Sequence, residues 1–309
     1  MRDLVTVVIT THDRGESGTK YIERSLKSVL SQTYPLIEIV IVVDSSKREY
    51  NKNLKKIIKK FDEKNIKLLS GEKLGGSRAR NLGILNSSGK YICLLDDDDE
   101  FMMNKIEHQL EFLKAKIRDR NSELIIASSQ VYISESIYKP ARVYEGVEDI
   151  EEFLFGRKFG RMNGILQTST FMATRNCFEK NLFSEGLIKH QDYDFILKAH
   201  NQGIFIEQLM EPLTFYHQDV PKKDRVGSKN NWKFSIDWYD QNQNYFSTHV
   251  FLKSIIMIDI ISDYSLSKKD VMNRILLIKK KYGIHFSLFN IEDIILFCRV
   301  IIRKKNKYN

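Results

Sequence analysis

The stretch YICLLDDDDEF, residues 91–101, decides how the chain is interpreted, because a short apolar run passes directly into five acidic side chains. The apolar half has the composition of a strand that is buried on both faces. Carboxylates crowded at the end of such a strand repel one another unless a cation neutralises them. Mg²⁺ and Mn²⁺ prefer carboxylate oxygens and also accept diphosphate oxygens. The stretch therefore predicts a metal-linked phosphate site, with a solvated acidic turn ahead of a helix as the plainer alternative.

Apolar runs and helical patterns alternate along the first third of the chain. The predicted strands are residues 4–10, 37–43, 66–70 and 91–96. Between them, apolar residues recur at helical spacing, for example at Ile22 and Leu26. This order predicts a parallel sheet with right-handed crossovers, in which ligands bind at the carboxyl ends of the strands. Asp44 and the aspartates from Asp96 onward would lie at that edge.

The rest of the chain predicts a mixed region followed by basic helices. A helix is expected around residues 106–117, strands at 123–131, 165–173 and 204–209, and a helix over 192–203 that Gly203 ends. Three further helices are predicted at residues 252–264, 267–283 and 291–305, the middle one beginning at Ser267 and ending at Gly283.

Composition is that of an ordinary globular protein: 309 residues, 42% hydrophobic and 29% charged. The three cysteines, Cys93, Cys177 and Cys298, form no C-x-x-C pair and indicate neither a zinc site nor a disulfide framework. The first apolar run is too short for a signal sequence, and no stretch approaches the ~20 apolar residues of a membrane-spanning helix. We therefore expect a cytoplasmic protein.

The net charge of +9 favours an anionic partner without identifying it. No nucleic-acid-binding motif accompanies the charge, so nucleic acid is not expected as a partner. The tail CRVIIRKKNKYN, residues 298–309, is basic throughout. It is compatible with a solvated terminus and with contact to a membrane surface, and the C-terminal helices are equally compatible with a homodimer.

Several linked motifs resemble glycosyltransferase family 2. The motifs are VTVVITTHDR, then YIERSLKSVLSQTYPLIEIVIVVDSS, then LGGSRARNLGILNSSGKYICLLDDDDEF, and the resemblance covers roughly residues 4–220. It implies an α/β GT-A fold, a Rossmann-like and mostly parallel mixed sheet flanked by helices, with a C-terminal helical extension. The implied domains are a catalytic domain at 1–225, with a nucleotide-binding half at 1–100 and an acceptor-binding half at 101–225, and a basic helical extension at 226–309.

The resemblance also implies a donor site for a UDP-sugar. The nucleotide-binding residues that it implies are Thr10, Thr11, Asp44, Arg78, Arg80, Asp96 and Asp97. Asp96 would face the ribose and donor sugar, and Asp98 would hold Mn²⁺ or Mg²⁺ together with His217. Arg78 and Arg80 are rival candidates for one contact to base or phosphate. The sequence VVDSS lacks the second acid and the glycine of the usual V-V-D-D-G-S, which weakens the inference for Asp44.

The segment GLIKHQDYDFILKA, residues 186–199, resembles the E-D motif of the family and makes Asp192 the general base. Gln191 replaces the glutamate and cannot take a proton, although it can orient a neighbour. Asp194 is a lesser candidate, and simple N-capping is the alternative role for Asp192. The acceptor or secondary residues implied are Gln191, Asp99, Gln167, Thr168 and Arg225.

The sequence thus predicts an inverting, metal-dependent transferase that moves a hexose or N-acetylhexosamine from a UDP-sugar to a hydroxyl of a glycan, expected to be lipid-linked at the inner membrane face. The rival hypothesis is a protein of the same fold that binds a nucleotide sugar or assists assembly without turnover, and Gln191 is its best argument. The G-x-G-T-R loop of nucleotidyltransferases and the G-x-G-x-x-G loop of dehydrogenases are both absent after the first strand.

Overall fold

The computed structural model describes residues 2–14, 18–61, 65–158, 161–162, 164–217, 219, 231–261 and 266–284. The chain divides into two compact units, one made of Met1–Val147 and Ile165–Val226 and the other of Glu148–Gly164 and Gly227–Asn309. The predicted functional halves, 1–100 and 101–225, and the extension at 226–309 stay predictions.

A mixed sheet forms the centre of the first unit. Its strands are β1 (Val5–His12), β2 (Ile37–Asp44), β3 (Ile66–Gly71), β4 (Tyr91–Asp96), β5 (Glu100–Phe101), β6 (Ile125–Ser134), β7 (Ile137–Lys139), β10 (Met172–Thr174) and β11 (Phe205–Phe215). Within the described residues the order is β3-β2-β1-β4-β10-β6-β11-β5, and β7 pairs with β6. Strands β3, β2, β1 and β4 are parallel, whereas β10 is antiparallel to both of its neighbours.

Helices cover this sheet. They are α1 (Gly18–Leu30), α2 (Arg48–Lys60), α3 (Gly75–Leu85), α4 (Lys105–Arg120), α6 (Arg175–Lys180) and α7 (Gln191–Asn201). Helix α3 approaches β1 so closely that a Cβ at Gly83 would come within 2.2 Å of a methyl group of Val8. The apolar positions that predicted α1, Ile22 and Leu26, are fully buried, as are the apolar side chains of β1 and those of β2 from Ile39 to Val43. The predicted alternation of strands and helices is therefore confirmed.

The register of the parallel strands brings the predicted acidic positions to one edge. Thr10 of β1 is opposite Asp96 of β4 on one side and Val42 of β2 on the other, and His12 is opposite Asp44. Asp44 and Asp96 are therefore both at the carboxyl edge of the sheet, where ligands of open α/β sheets bind.

The prediction of one strand over residues 165–173 was wrong for most of its length. Thr168–Thr170 forms a 3-10 helix, and only Met172–Thr174 joins the sheet. The hydroxyl of Thr170 donates to the carbonyl of Gln167 at 2.6 Å and lies 2.7 Å from the hydroxyl of Ser128. Side-chain hydrogen bonds of this kind compete with the backbone ladder, which explains why an apolar and β-branched run becomes a turn.

The second unit is largely helical in its described part. Its elements are α5 (Ile150–Phe155), the short strands β8 (Arg157–Lys158) and β9 (Arg161–Met162), α8 (Trp232–Gln241), α9 (Val250–Ile255), a π-helix (Ile256–Ile261) and α10 (Lys268–Tyr282). Trp238 and Phe251 pack edge to face at 5.1 Å in its core. The predicted start and end of α10 are confirmed, since the side chain of Ser267 accepts from the backbone N–H of Asp270 and Gly283 has a φ of 66°.

Two further predictions concern termini and membranes. The predicted helix at 291–305 and Cys298 lie outside the described residues, whereas Cys93 and Cys177 are free and buried. Among the helices that the structure describes, none combines the length and the hydropathy needed to cross a bilayer.

Candidate active site

Asp96 ends β4 and accepts two hydrogen bonds from neighbouring elements. The Nη2 of Arg80 donates to its Oδ1 at 2.6 Å, and the hydroxyl of Thr10 donates to the same oxygen at 3.3 Å. About a quarter of the Asp96 side chain stays accessible, at 24% exposure. Arg80 comes from α3 and Thr10 from β1, so the predicted donor-site residues of three elements meet at this carboxylate.

Asp97 is neutralised inside the protein. Its carboxylate forms an ion pair with Arg14 and accepts from the hydroxyl of Thr11 at 2.5 Å. Burial raises the pKa of Asp97, and the Arg14 guanidinium opposes that shift. Thr11 in turn lies 2.6 Å from the hydroxyl of Tyr50, whose pKa is also raised by burial. The structure thus places Thr11 and Asp97 in a buried network.

Asp98 and Asp99 differ in how well they are compensated. Asp98 keeps 22% of its side chain exposed and has Arg14 at 3.7 Å. Burial, then the adjacent Asp97, raises the pKa of Asp98 to about 6. Asp99 is buried, and its Oδ2 accepts from Ser169 at 2.5 Å and from Gln167 at 2.9 Å. Burial, then Asp98, holds the pKa of Asp99 well above its usual range.

His217 follows β11 and contacts Glu100. Its Nε2 lies 3.0 Å from Glu100, and its ring lies 4.5 Å from that of Phe215. Arg24 of α1 donates to the backbone carbonyl of Asp98 at 2.8 Å and to Asp219 at 2.8 Å, which joins the acidic turn to the segment after β11. Within the described ranges, no three His, Cys, Asp or Glu side chains gather as a metal site.

Asp44 and the two candidate arginines occupy distinct positions. The backbone N–H groups of Leu74 and Gly75 donate to the Asp44 carboxylate at 2.9 and 2.8 Å. A carboxylate has about four acceptor sites, so two remain for a ligand. Arg78 is 60% exposed and lies 3.8 Å from Glu185, whereas Arg80 is buried against Asp96. Of the two rivals, Arg80 is the one that reaches the acidic edge.

Asp192 lies in the first turn of α7 and does not cap it. The N-cap position belongs to His190, which has a φ of 67° and makes no side-chain capping bond, so the capping alternative was wrong. The half-buried Asp192 carboxylate accepts from the hydroxyl of Thr168. Burial raises the pKa of Asp192, and the positive charge of Arg80 partly opposes the shift. A carboxyl with a raised pKa is better suited to accept a proton near neutral pH.

Comparison with known proteins identifies the family. The model of glycosyl transferase family 2 matches residues 6–176. The chain belongs to this family. The amylovoran biosynthesis glycosyltransferase AmsB of Erwinia amylovora is 31% identical over 251 residues, 78% of each chain. An uncharacterized glycosyltransferase of Methanocaldococcus jannaschii is 23% identical over 84% of this chain and 87% of the relative.

A solved structure shares the fold. Staphylococcus aureus TarS 1–349, solved in complex with UDP-GlcNAc, shares 18% identity and a TM-score of 0.55 over 96% of this chain and 79% of the TarS chain. The predictions of a GT-A fold and of a glycosyltransferase are confirmed.

Two residues of this family 2 site were not predicted from the sequence. Arg14 neutralises Asp97, and Ser169 accepts from the backbone N–H of Asp96 at 3.1 Å while donating to Asp99. Arg14 comes two residues after the end of β1 at the ligand-binding edge, which is a signal that could have found it. Nothing in the sequence marked Ser169, because the segment around it was predicted to be a strand. Gln167 and Thr168 do reach the site, while Arg225 lies outside the described residues.

Proposed function

We propose that this family 2 enzyme transfers a hexose or N-acetylhexosamine from a UDP-sugar to a hydroxyl of a glycan, with inversion at the anomeric carbon. The observation that carries the proposal is that buried Arg80 binds Asp96 directly, at 2.6 Å, while its charge also acts on Asp192. Arg80 thereby links the edge of the sheet expected to bind the donor with the carboxylate expected to accept the proton. The UDP-GlcNAc complex of TarS supports the choice of donor class.

In the proposed reaction, the acceptor hydroxyl attacks the anomeric carbon in line while the bond to the nucleotide diphosphate breaks. Asp192 takes the hydroxyl proton, and the Thr168 hydroxyl that donates to Asp192 fixes the orientation of the carboxylate. Thr10, Thr11, Asp44, Arg80, Asp96 and Asp97 are proposed to hold or shape the nucleotide site. Arg78, being exposed, and Arg225 are proposed contacts for phosphates or acceptor from its rim.

A divalent cation fits the acidic turn. Asp98 is the aspartate of the turn whose accessible carboxylate is least compensated, since Arg14 lies 3.7 Å away and pairs more closely with Asp97. Mg²⁺ is commonly held by one or two carboxylates together with substrate phosphates, so a site of three protein ligands is not required. We propose Asp98 as the ligand for Mn²⁺ or Mg²⁺, with His217 as a second. The bound cation would neutralise charge on the leaving diphosphate.

The name of one relative supports a class of acceptor. AmsB is named for amylovoran biosynthesis, which supports a polysaccharide or oligosaccharide acceptor here. We propose that the acceptor is lipid-linked and that the enzyme works at the cytoplasmic face of the membrane, in contact with it through the basic C-terminal helices. In that role Gln167, Asp99 and Thr168 would border the acceptor. The rival function, a binding or assembly protein without turnover, is tested by the same experiment.

Replacement of Asp192 by Asn tests the proposal. Asn keeps the size and accepts from Thr168 but cannot take a proton, so we expect transfer to fall by about 10²–10⁴-fold with donor affinity unchanged. UDP release from UDP-sugars with a glycan acceptor measures transfer, and calorimetry with UDP measures binding. Asp119→Asn, the same change on the exposed face of α4, is the control and should retain activity. Equal turnover of Asp192→Asn and the wild type would refute the assignment.

A further inference from the structure

Gln191 stands where the family 2 motif has a glutamate, and both ends of its amide are engaged. Its Oε1 accepts from Nη1 of Arg80 at 2.7 Å, and its Nε2 donates to the carbonyl of Leu187 at 2.6 Å. An ionised carboxylate has no donor and could not make the second bond. The amide therefore binds Arg80 from one side while the preceding loop anchors it from the other.

Arg80 is enclosed by these contacts. Its Nη2 donates to Asp96 at 2.6 Å, its guanidinium carbon lies 5.3 Å from the centre of the Phe183 ring, and only 9% of its side chain is exposed. The charged groups that act on it are Asp96, Asp98 and Asp192. Without the Gln191 oxygen, no described contact holds Nη1 in place.

Gly76 makes room for the same contact. A Cβ at position 76 would come within 2.6 Å of the Gln191 Oε1 and 3.0 Å of the Arg80 Nη1. Both distances are shorter than ordinary van der Waals separations, so a side chain here would push the amide and the guanidinium apart. The hydrogen bond from Arg80 to Gln191 therefore requires both the amide of Gln191 and the absence of a side chain at Gly76.

We propose that Gln191 is a positioning residue that holds the Arg80 guanidinium between Asp96 and Asp192. The amide accepts the hydrogen bond without adding negative charge, so the charge of Arg80 remains available to those two carboxylates. This inference rests on the proposed function, in which Asp192 is the base and Asp96 faces the donor. In this proposal, the glutamine that replaces the glutamate of the family motif positions the Arg80 guanidinium and takes no part in proton transfer.

Gln191→Met removes the acceptor without adding a titratable group, and its effect should depend on pH. The folded-state pKa of Asp192 is raised, so the protonated form is favoured by folding and stability declines as pH rises through that pKa. If Arg80 moves away, the pKa of Asp192 rises further and the decline grows. The neighbours that act on Asp192 are Arg80 of α3, Asp96 of β4 and the Thr168 hydroxyl.

The experiment measures urea midpoints from about pH 4 to 8 for the wild type, Gln191→Met, Asp192→Asn and the double variant. We expect Gln191→Met to lose more stability than the wild type toward high pH, and the excess to vanish when Asp192 is Asn. The acid limb of the pH–rate profile should also move to higher pH, because the Asp192 carboxyl would lose part of the opposing charge of Arg80. A loss that is equal at every pH, or that persists in the Asn background, would overturn the proposal.

Gly76→Ala provides a second route to the same test if the Met variant does not fold, because it disturbs the contact without altering Gln191. It should shift the pH dependence in the same direction, and an unchanged profile would count against the proposal. A failure of the proposed function would give a different result from a failure of this inference. In that case the wild type transfers no sugar at all, while the unfolding measurements still report whether Gln191 controls Arg80.

Discussion

The four consecutive aspartates are chemically distinct residues. Arg80 donates to Asp96, Arg14 pairs with Asp97, and Ser169 and Gln167 donate to Asp99. Asp98 has no partner of comparable closeness among the described residues, and its pKa is raised to about 6 by burial and by Asp97. A carboxylate in that condition gains most from an added cation.

Asp98→Ala should therefore abolish the strengthening of UDP binding by Mn²⁺. Loss of a residue that merely hydrogen-bonds to a metal ligand lowers metal affinity by about 10–100-fold. Loss of the ligand Asp98 itself should lower it by at least that much. Calorimetric titration of UDP with and without Mn²⁺ measures the difference. The fold should persist, because the substitution removes a like charge from the turn. An unchanged metal effect would remove Asp98 from the site.

At this scale the sequence predicted the residues that bear charge but not their partners. Asp96 and Asp192 were found through motifs, since their spacing from a strand and a helix start is local information. Ser169 could not be found, because its role depends on a turn that brings residues 73 apart in sequence within 3.1 Å. The contact of Gln191 with Arg80 joins residues 111 positions apart in sequence and was not predicted for the same reason.

Helix α2 presents an unusually cationic face. Its exposed basic residues are Arg48, Lys52, Lys55, Lys56, Lys59 and Lys60, while Tyr50, Leu54 and Ile57 are buried. Among the described residues, these exposed side chains form one ion pair, between Lys60 and Glu23 at 3.8 Å. Lysines three and four residues apart repel one another on a helix surface. Burial of the apolar face, not surface electrostatics, must therefore maintain α2.

Lys56→Glu should stabilise the protein. The new carboxylate would be one turn from Lys52, Lys59 and Lys60, replacing repulsion by attraction worth about 0.2–0.5 kcal/mol per pair. Urea unfolding at low salt and at about 1 M salt measures the gain, which should shrink as screening increases. Lys56→Gln separates loss of repulsion from new attraction and should give a smaller gain. Destabilisation by the Glu variant would contradict the inference that these lysines repel one another.

Elements were predicted well where burial alone determines them. Strands β1, β2 and β4 match the apolar runs because most of their side chains are buried, and the partly exposed strand β3 at the end of the sheet also matches its run. The predicted strand at 165–173 failed because hydroxyl side chains diverted the backbone into a 3-10 turn. The same failure concealed Ser169, which lies in this turn.

For the whole molecule, ligand binding should appear as increased stability. If the donor is a UDP-sugar, saturating UDP-sugar with Mn²⁺ should raise the unfolding midpoint more than GDP- or dTDP-sugars do. A concentration of 100 times Kd adds about 2.7 kcal/mol to the free energy of unfolding. Each nucleotide without Mn²⁺ provides the control. A larger shift with a GDP-sugar would contradict the proposed donor class while leaving the family assignment intact.

The 3-10 turn at Thr168–Thr170 has a practical consequence. Thr168 donates to Asp192, and the next residue, Ser169, contacts both Asp96 and Asp99. A substitution at Ser169 would affect the backbone that also carries Thr168, and Thr168 contacts Asp192, the proposed base. Variants of this turn should therefore change donor preference and turnover together. Libraries that vary Thr168–Thr170 as a unit are more promising than single substitutions.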